Sequence, residues 1–116
     1  MSLDVDLMVT QPVSVFSGNI THNLGKMASE VKVNYMAGKV SLYTILWRPE
    51  ELQFTKAIEI ISLLHEGMVE LMCFPEKYKP FNPDNGWGSY DGLVNFVREY
   101  HNACLDNPEA ELRISR

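Results

Sequence analysis

The chain has 116 residues, which is the size of a single domain, and 46% of them are hydrophobic, enough to build one core. This composition excludes an intrinsically disordered chain. The net charge of −5 argues against general nucleic-acid binding, because that activity depends on a basic surface.

Charged or polar residues interrupt every apolar run before it reaches the ~18 residues that a membrane-spanning helix needs. The N-terminus is acidic and lacks the basic region of a signal peptide, so we expect a cytoplasmic protein. Met1-Ser2-Leu3 resembles a start added by cloning, and we leave it out of the fold prediction.

Charge is distributed unevenly along the chain. Residues 20–48 carry a local balance of +3, and residues 49–111 carry −8. Solvated helix faces of opposite sign explain this pattern most simply. The alternatives are a small basic rim that binds an anionic ligand and a surface for self-association.

The N-terminal part alternates apolar and polar residues, which is typical of a β-strand. Residues 3–17 read as extended, and Pro12 within them favours an edge strand or a bulge. Gly18-Asn19 is expected to break the strand. A first helix then begins near Asn19 or Thr21, either of which can cap it, and runs to about Asn34.

The middle of the chain contains the strongest helical pattern. Residues 35–48 have no clear period, and we favour an irregular crossover over a short hairpin arm there. Pro49 followed by two glutamates is typical of the first turn of a helix. The main helix is expected from a cap at Thr55 to Cys73, with one further turn after Pro75. Its predicted buried stripe comprises Phe54, Ile58, Ile61, Leu64, Met68, Leu71 and Met72.

The last helix is predicted to begin after a Ser89 cap, with Asp91 in its first turn, and to end at Asn107-Pro108. Its predicted buried face comprises Leu93, Phe96, Val97, Tyr100 and Cys104. Residues 110–116 alternate in the manner of a strand that pairs antiparallel with the N-terminal one. The sequence therefore predicts one α+β domain over residues 1–116, with about three main helices and a small antiparallel sheet that pairs the N- and C-terminal strands.

The cysteines and histidines do not form a recognisable metal-binding pattern. Cys73 and Cys104 fall at helix positions that suit buried free thiols. His65 lies close to an apolar stripe and is expected to be partly buried, and His101 is expected to be exposed. Because no closely spaced set of Cys or His ligands exists, we predict no metal site and no cofactor.

The stretch Phe81–Gly92 concentrates turn-forming residues and two aromatic side chains between two predicted helices. Its Asn-Pro-Asp-Asn-Gly sequence is typical of a tight turn. The simpler interpretation is a loop whose Trp87 plugs the core beside Tyr90. The functional interpretation makes Asn85, Trp87 and Tyr90 part of a ligand-binding wall near a helix N-terminus.

Two further segments combine polar and aromatic residues at predicted helix starts. Asn19, His22 and Asn23 are most simply capping residues, and the alternative places His22 in a cleft as an acid/base group. Arg48 follows Trp47 and is most simply an ion-pair partner of a nearby glutamate. The alternative makes Arg48 the anion-binding group of a pocket.

Three blocks in this chain together resemble a known kind of protein: Asn-Ile-Thr-His-Asn-Leu at 19–24, Leu-Trp-Arg-Pro at 46–49 and Phe-Asn-Pro-Asp-Asn-Gly-Trp-Gly-Ser-Tyr at 81–90. They are similar to blocks of a family of small proteins encoded by bacteriophages, prophages and other bacterial mobile elements. The similarity extends from about residue 13 to the end of the chain, with extra residues here between Val33 and Leu46. The resemblance implies an origin in a mobile element and no particular activity or site residue.

Three hypotheses of function follow. The leading one is a phage-type binding or accessory protein whose ligand, anionic or amide-bearing, sits on Asn19, His22, Asn23, Arg48, Asn85, Trp87 and Tyr90. The second is a small hydrolase or transferase with His22 as catalytic acid/base and Arg48 holding an anionic group. The third is an interaction module that dimerises through its edge strand.

Overall fold

The computed structural model describes residues 2–10, 13–83, 86 and 88–116. Within them, ten regular elements follow one another along the chain. They are β1 (Ser2–Thr10), β2 (Val13–Thr21), α1 (Gly25–Glu30), β3 (Lys32–Tyr35), β4 (Gly38–Ser41), α2 (Leu42–Trp47), α3 (Ile61–Cys73), α4 (Pro75–Tyr78), α5 (Tyr90–Asp106) and β5 (Glu111–Ser115). The predicted α+β class is confirmed. The described residues form five α-helices where about three main ones were expected, and α1, α2 and α4 have only four to six residues each.

A three-stranded antiparallel sheet in the order β2-β1-β5 joins the two ends of the chain. The predicted pairing of the terminal strands is confirmed, with Leu7 opposite Leu112 and Val5 opposite Ile114. Leu3, Val5 and Leu7 of the central strand β1 are completely buried, and α5 packs on the neighbouring β2. Since Ser2 and Leu3 belong to β1, leaving them out of the fold prediction was wrong.

The predicted break at Gly18-Asn19 was also wrong, because β2 continues through both residues to Thr21. A Cβ at Gly18 would lie 3.0 Å from the Phe16 ring and 3.2 Å from the Phe96 ring of α5. A small residue is therefore needed where these rings cover the strand. The Asn19 amide donates hydrogen bonds to Asp4 and to Ser2 across the sheet, so it stabilises the strand instead of starting a helix.

The first helix is much shorter than predicted. Thr21 caps a 3-10 turn over His22–Leu24, and α1 ends at Glu30. The chain then forms a β3–β4 hairpin followed by α2. The favoured prediction of an irregular crossover at residues 35–48 was therefore wrong. The alternative, a short hairpin arm, agrees with the first part of this segment, and α2 forms the rest.

The main helix begins later than predicted, at Ile61, after a 3-10 turn over Ala57–Glu59. Thr55 does not cap it, because the cap position of α3 is Ile60 and both the Thr55 N–H and its hydroxyl donate to Glu59. The buried residues of α3 are Leu63, Leu64, Gly67 and Leu71. Ile58 and Met72, both predicted to be buried, are 55% and 52% exposed.

The α5 helix agrees closely with its prediction. The Ser89 hydroxyl accepts a hydrogen bond from the Gly92 N–H at 3.1 Å, and the helix ends at Asp106 before Asn107. All five residues of its predicted buried face are buried. The helix lies between the sheet and α3, so its buried face is wider than predicted and also includes Val94 and His101.

Three side-chain environments differ from the predictions. Cys73 is exposed at the end of α3, whereas Cys104 is buried as expected. His101 is 8% exposed and His65 is exposed, which reverses the expectation for both. Their rings lie 5.5 Å apart on facing helices, with His65 on the solvent side of the pair.

Candidate functional site

A cleft of about 350 Å³ opens where the chain ends beside α2, and we call it the anion cleft. Its lining comprises His22, Tyr43, Trp47, Arg48 and Arg116. These described residues come from three separate segments of the chain, at positions 22, 43–48 and 116, so the fold and not the local sequence creates the cleft. His22 and Arg48, two of the predicted site residues, are thereby brought to one place.

The aromatic wall of the anion cleft is built by α2. Ser41 caps this helix by accepting a hydrogen bond from the Thr44 N–H at 3.2 Å. Because Tyr43 and Trp47 are four residues apart, they lie on one face of the helix and stack with ring centroids 5.0 Å apart. Trp47 is almost fully buried, as one interpretation of its block predicted.

His22 is held at the other side of this wall. It opens the 3-10 turn that Thr21 caps, and its ring meets the Trp47 ring edge-on at a centroid distance of 6.0 Å. Its Nε2 atom is buried and has no hydrogen-bond partner among the described residues. The imidazole therefore holds one buried polar atom without a protein partner directly beside the cleft.

Arg48 and Arg116 provide the charge of the anion cleft. The pKa of Arg48 is raised, first by the nearby Tyr43 side chain and then by the charges of Glu51 and Glu50. Arg48 lies 3.7 Å from Glu51, so the predicted ion pair forms and the side chain also lines the cleft. The ion pair and a position in the cleft lining therefore occur together, and anion binding by Arg48 stays a prediction.

Arg116 is fixed by two contacts. Its Nη1 donates to the Trp47 carbonyl oxygen at 3.0 Å, and its Nη2 lies 2.8 Å from Glu50 Oε2. Partial burial acts to raise the pKa of Glu50, but its own backbone N–H and Arg116 outweigh this and lower it. Glu50 therefore remains a carboxylate that orients Arg116.

The lining of the anion cleft contains two guanidinium groups and one imidazole but no described carboxylate, since Glu50 and Glu51 contact the arginines from outside it. A guanidinium has five N–H donors, and Arg116 uses two groups on protein partners. Donors on both arginines thus remain for a ligand. The geometry suits a small anion with an apolar part that packs on Tyr43, which stacks over the buried Trp47 ring.

The other predicted site residues lie elsewhere or outside the described residues. Asn19 belongs to β2, and Asn23 is exposed without lining the anion cleft. Tyr90 is buried, and its hydroxyl donates to the Leu71 carbonyl oxygen, so it is a core residue and not part of a ligand-binding wall. Asn85 and Trp87 lie outside the described residues.

The described part of the Phe81–Gly92 stretch approaches the His22 segment at Gly88. Gly88 has a φ of 103°, and a Cβ there would lie 2.7 Å from Thr21 Cγ2 and 3.0 Å from Leu24 Cγ. Only glycine fits this approach and this backbone conformation. Gly88 thus brings the third block against the first, and the positions of Asn85 and Trp87 relative to the anion cleft lie outside the described residues.

Sequence reasoning missed two lining residues, Tyr43 and Arg116. Tyr43 could have been found from its spacing of four to Trp47 if α2 had been predicted. Arg116 has no local signal, because it reaches Trp47 across 69 positions of sequence.

Neither a metal cluster nor a membrane span is present in the described part of the chain. No group of three or more His, Cys, Asp or Glu side chains there is arranged to hold a metal ion. None of its helices is long and apolar enough to cross a bilayer.

We found no match to this chain among protein-family models, curated proteins or solved structures. The geometry of the anion cleft therefore carries the functional argument.

Proposed function

We propose that this protein binds a small anionic ligand, or the anionic end of a larger one, in the anion cleft. The observation that supports this most is the convergence of Arg48, Arg116 and the unpartnered Nε2 of His22 beside a stacked aromatic wall. Arginine is suited to carboxylate and phosphate because its planar donors match their oxygens.

The proposal keeps the phage-type origin and the cytoplasmic location as its biological setting. It does not require catalysis, because no described hydrogen bond or ion pair orients the His22 imidazole as an acid/base group. His22 instead acts as a hydrogen-bonding group for the ligand. The catalytic role of His22 and the edge-strand dimer stay predictions.

The proposal is tested by thermal unfolding with millimolar sodium phosphate or sodium acetate against sodium chloride of equal ionic strength. A ligand that binds only the folded state raises the unfolding temperature. We expect phosphate or acetate to stabilise the unaltered protein. Arg48→Gln should weaken the affinity about 10-fold to 100-fold, since a hydrogen bond to a charged group contributes about 1.5–3 kcal/mol.

Arg98→Gln is the matched control, because Arg98 is exposed on α5 and bonds only to Asn95 among the described residues. It should retain the full anion effect, and His22→Gln should lose part of it. The absence of stabilisation by either anion, or an equal loss in Arg48→Gln and Arg98→Gln, would contradict the proposal.

A further inference from the structure

A second and larger cleft, of about 580 Å³, runs beside the free edge of β5, and we call it the edge groove. Its apolar lining includes Phe54, Leu112 and Ile114, and its polar lining includes Glu50, Thr55 and Arg116. Because Arg116 lines both clefts, the edge groove and the anion cleft adjoin at this residue.

The backbone of β5 offers free hydrogen-bonding groups in the edge groove. The Leu112 N–H points away from β1, because it donates to the Thr55 carbonyl oxygen at 2.9 Å. Alternation along a strand places the N–H and C=O of Ile114 on the same outer edge. No backbone partner for these two groups occurs among the described residues.

A short segment of the protein already pairs with the first half of this edge, in the manner of a fourth strand. Lys56 bridges to Glu111, and the Ala57 N–H donates to the Ala110 carbonyl oxygen. Gln53, with a φ of 62°, ends the extended backbone, and Pro49–Leu52 before it forms a 3-10 turn instead of a strand. The Thr55 N–H donates to Glu59 instead of to the strand. The first half of the edge is therefore covered, and the half around Ile114 stays open.

The basic side chains of the anion cleft favour a negatively charged end of an extended ligand at Arg116. The edge groove runs from Leu112 to Arg116, a span of roughly 13 Å for four residues of strand. At its Arg116 end the anion cleft presents Arg48, Arg116 and His22. A peptide that runs parallel to β5 brings its terminal carboxylate to these groups.

We propose that the ligand of this protein is the C-terminal segment of an extended peptide, which adds as a parallel strand to the open edge of β5. The Ile114 N–H and C=O bond the peptide backbone, and the α-carboxylate sits in the anion cleft. Apolar side chains of the peptide pack on Phe54 and Leu112. This inference rests on the proposed anion binding and names the class of its ligand.

The test uses the full chain, immobilised, and two pools of random hexapeptides that differ only in a free or an amidated C-terminus. Retained peptides are identified by mass spectrometry. We expect at least tenfold greater retention from the free-acid pool, with apolar residues enriched at alternate positions. Arg116→Gln should abolish this preference, and Arg98→Gln should retain it.

A second pair of variants tests the strand addition itself. Ile114→Pro removes the outward N–H without removing a bond to β1, because proline is tolerated on an edge strand when its nitrogen faces outward. It should lose peptide retention, whereas Ile114→Val should keep it, with folding of both checked by thermal unfolding followed by circular dichroism.

Equal retention of acid and amide pools, or retention unchanged in both Arg116→Gln and Ile114→Pro, would overturn the inference. A dimer that Ile114→Pro dissociates would show that a second copy occupies the edge, which also overturns it. Phosphate or acetate stabilisation distinguishes the two proposals. If that effect persists while peptides fail to bind, anion binding stands and the peptide ligand falls.

Discussion

The two cysteines occupy opposite environments, which predicts opposite reactivity. Cys73 is exposed at the end of α3, whereas burial raises the pKa of Cys104 to about 12. Because the thiolate is the reactive form, Cys104 should stay inert in the folded protein at pH 8. We expect a thiol-specific disulfide reagent to modify one cysteine rapidly and the second only after unfolding.

Cys73→Ser provides the control for this assignment. It should remove the rapid phase and leave the slow modification of Cys104 after unfolding. If both thiols of the unaltered protein react at similar rates under native conditions, the described burial of Cys104 is wrong.

The burial of His101 and the exposure of His65 show that a local sequence pattern does not determine the environment of a single residue. The spacing around His101 places it close to the predicted buried face of α5, but the width of that face depends on how many layers cover the helix. Because both the sheet and α3 pack on α5, the buried face reaches His101, next to buried Tyr100. His65 lies on the outer side of α3 and stays exposed.

At the scale of an element, the Ser89 cap makes a direct prediction for α5. Its hydroxyl satisfies the Gly92 N–H, one of the donors that a helix start leaves unpaired. Ser89→Ala should therefore lower the free energy of unfolding by about 1 kcal/mol. Urea unfolding measures this as a lower midpoint with an unchanged slope.

Ser62→Ala is the comparison, because Ser62 is exposed in α3 and has no side-chain hydrogen bond among the described residues. Its unfolding midpoint should stay within error of the unaltered protein. Equal destabilisation by the two substitutions would mean that the Ser89 hydrogen bond does not stabilise α5.

Elements with local signals were predictable, and those without them were not. The start and end of α5 followed from Ser89 and Asn107-Pro108, and β5 followed from simple alternation. The β3–β4 hairpin has two strands of four residues each, and its turn places Met36 at a φ of 54°. Methionine is an unusual residue for this conformation, so the sequence offered none of the usual turn signals.

At the scale of the whole molecule, the anion cleft depends on contacts that no local pattern encodes. The sequence identified His22 and Arg48 as candidates, but the cleft that they line also needs Arg116, which β5 brings to Trp47 after it pairs with β1. The same return leaves the outer half of β5 open as the edge groove. The proposed site and the proposed ligand class therefore both rest on tertiary structure.

The measurement that tests the anion cleft most directly is a titration with sodium phosphate and then sodium acetate followed by nuclear magnetic resonance of the side chains. We predict that the His22 imidazole and the Nε–H groups of Arg48 and Arg116 shift together with a single dissociation constant. Arg98 and Arg113, which do not line the cleft, should remain unchanged. Uniform shifts at all four arginines, or no shift at His22, would contradict the account.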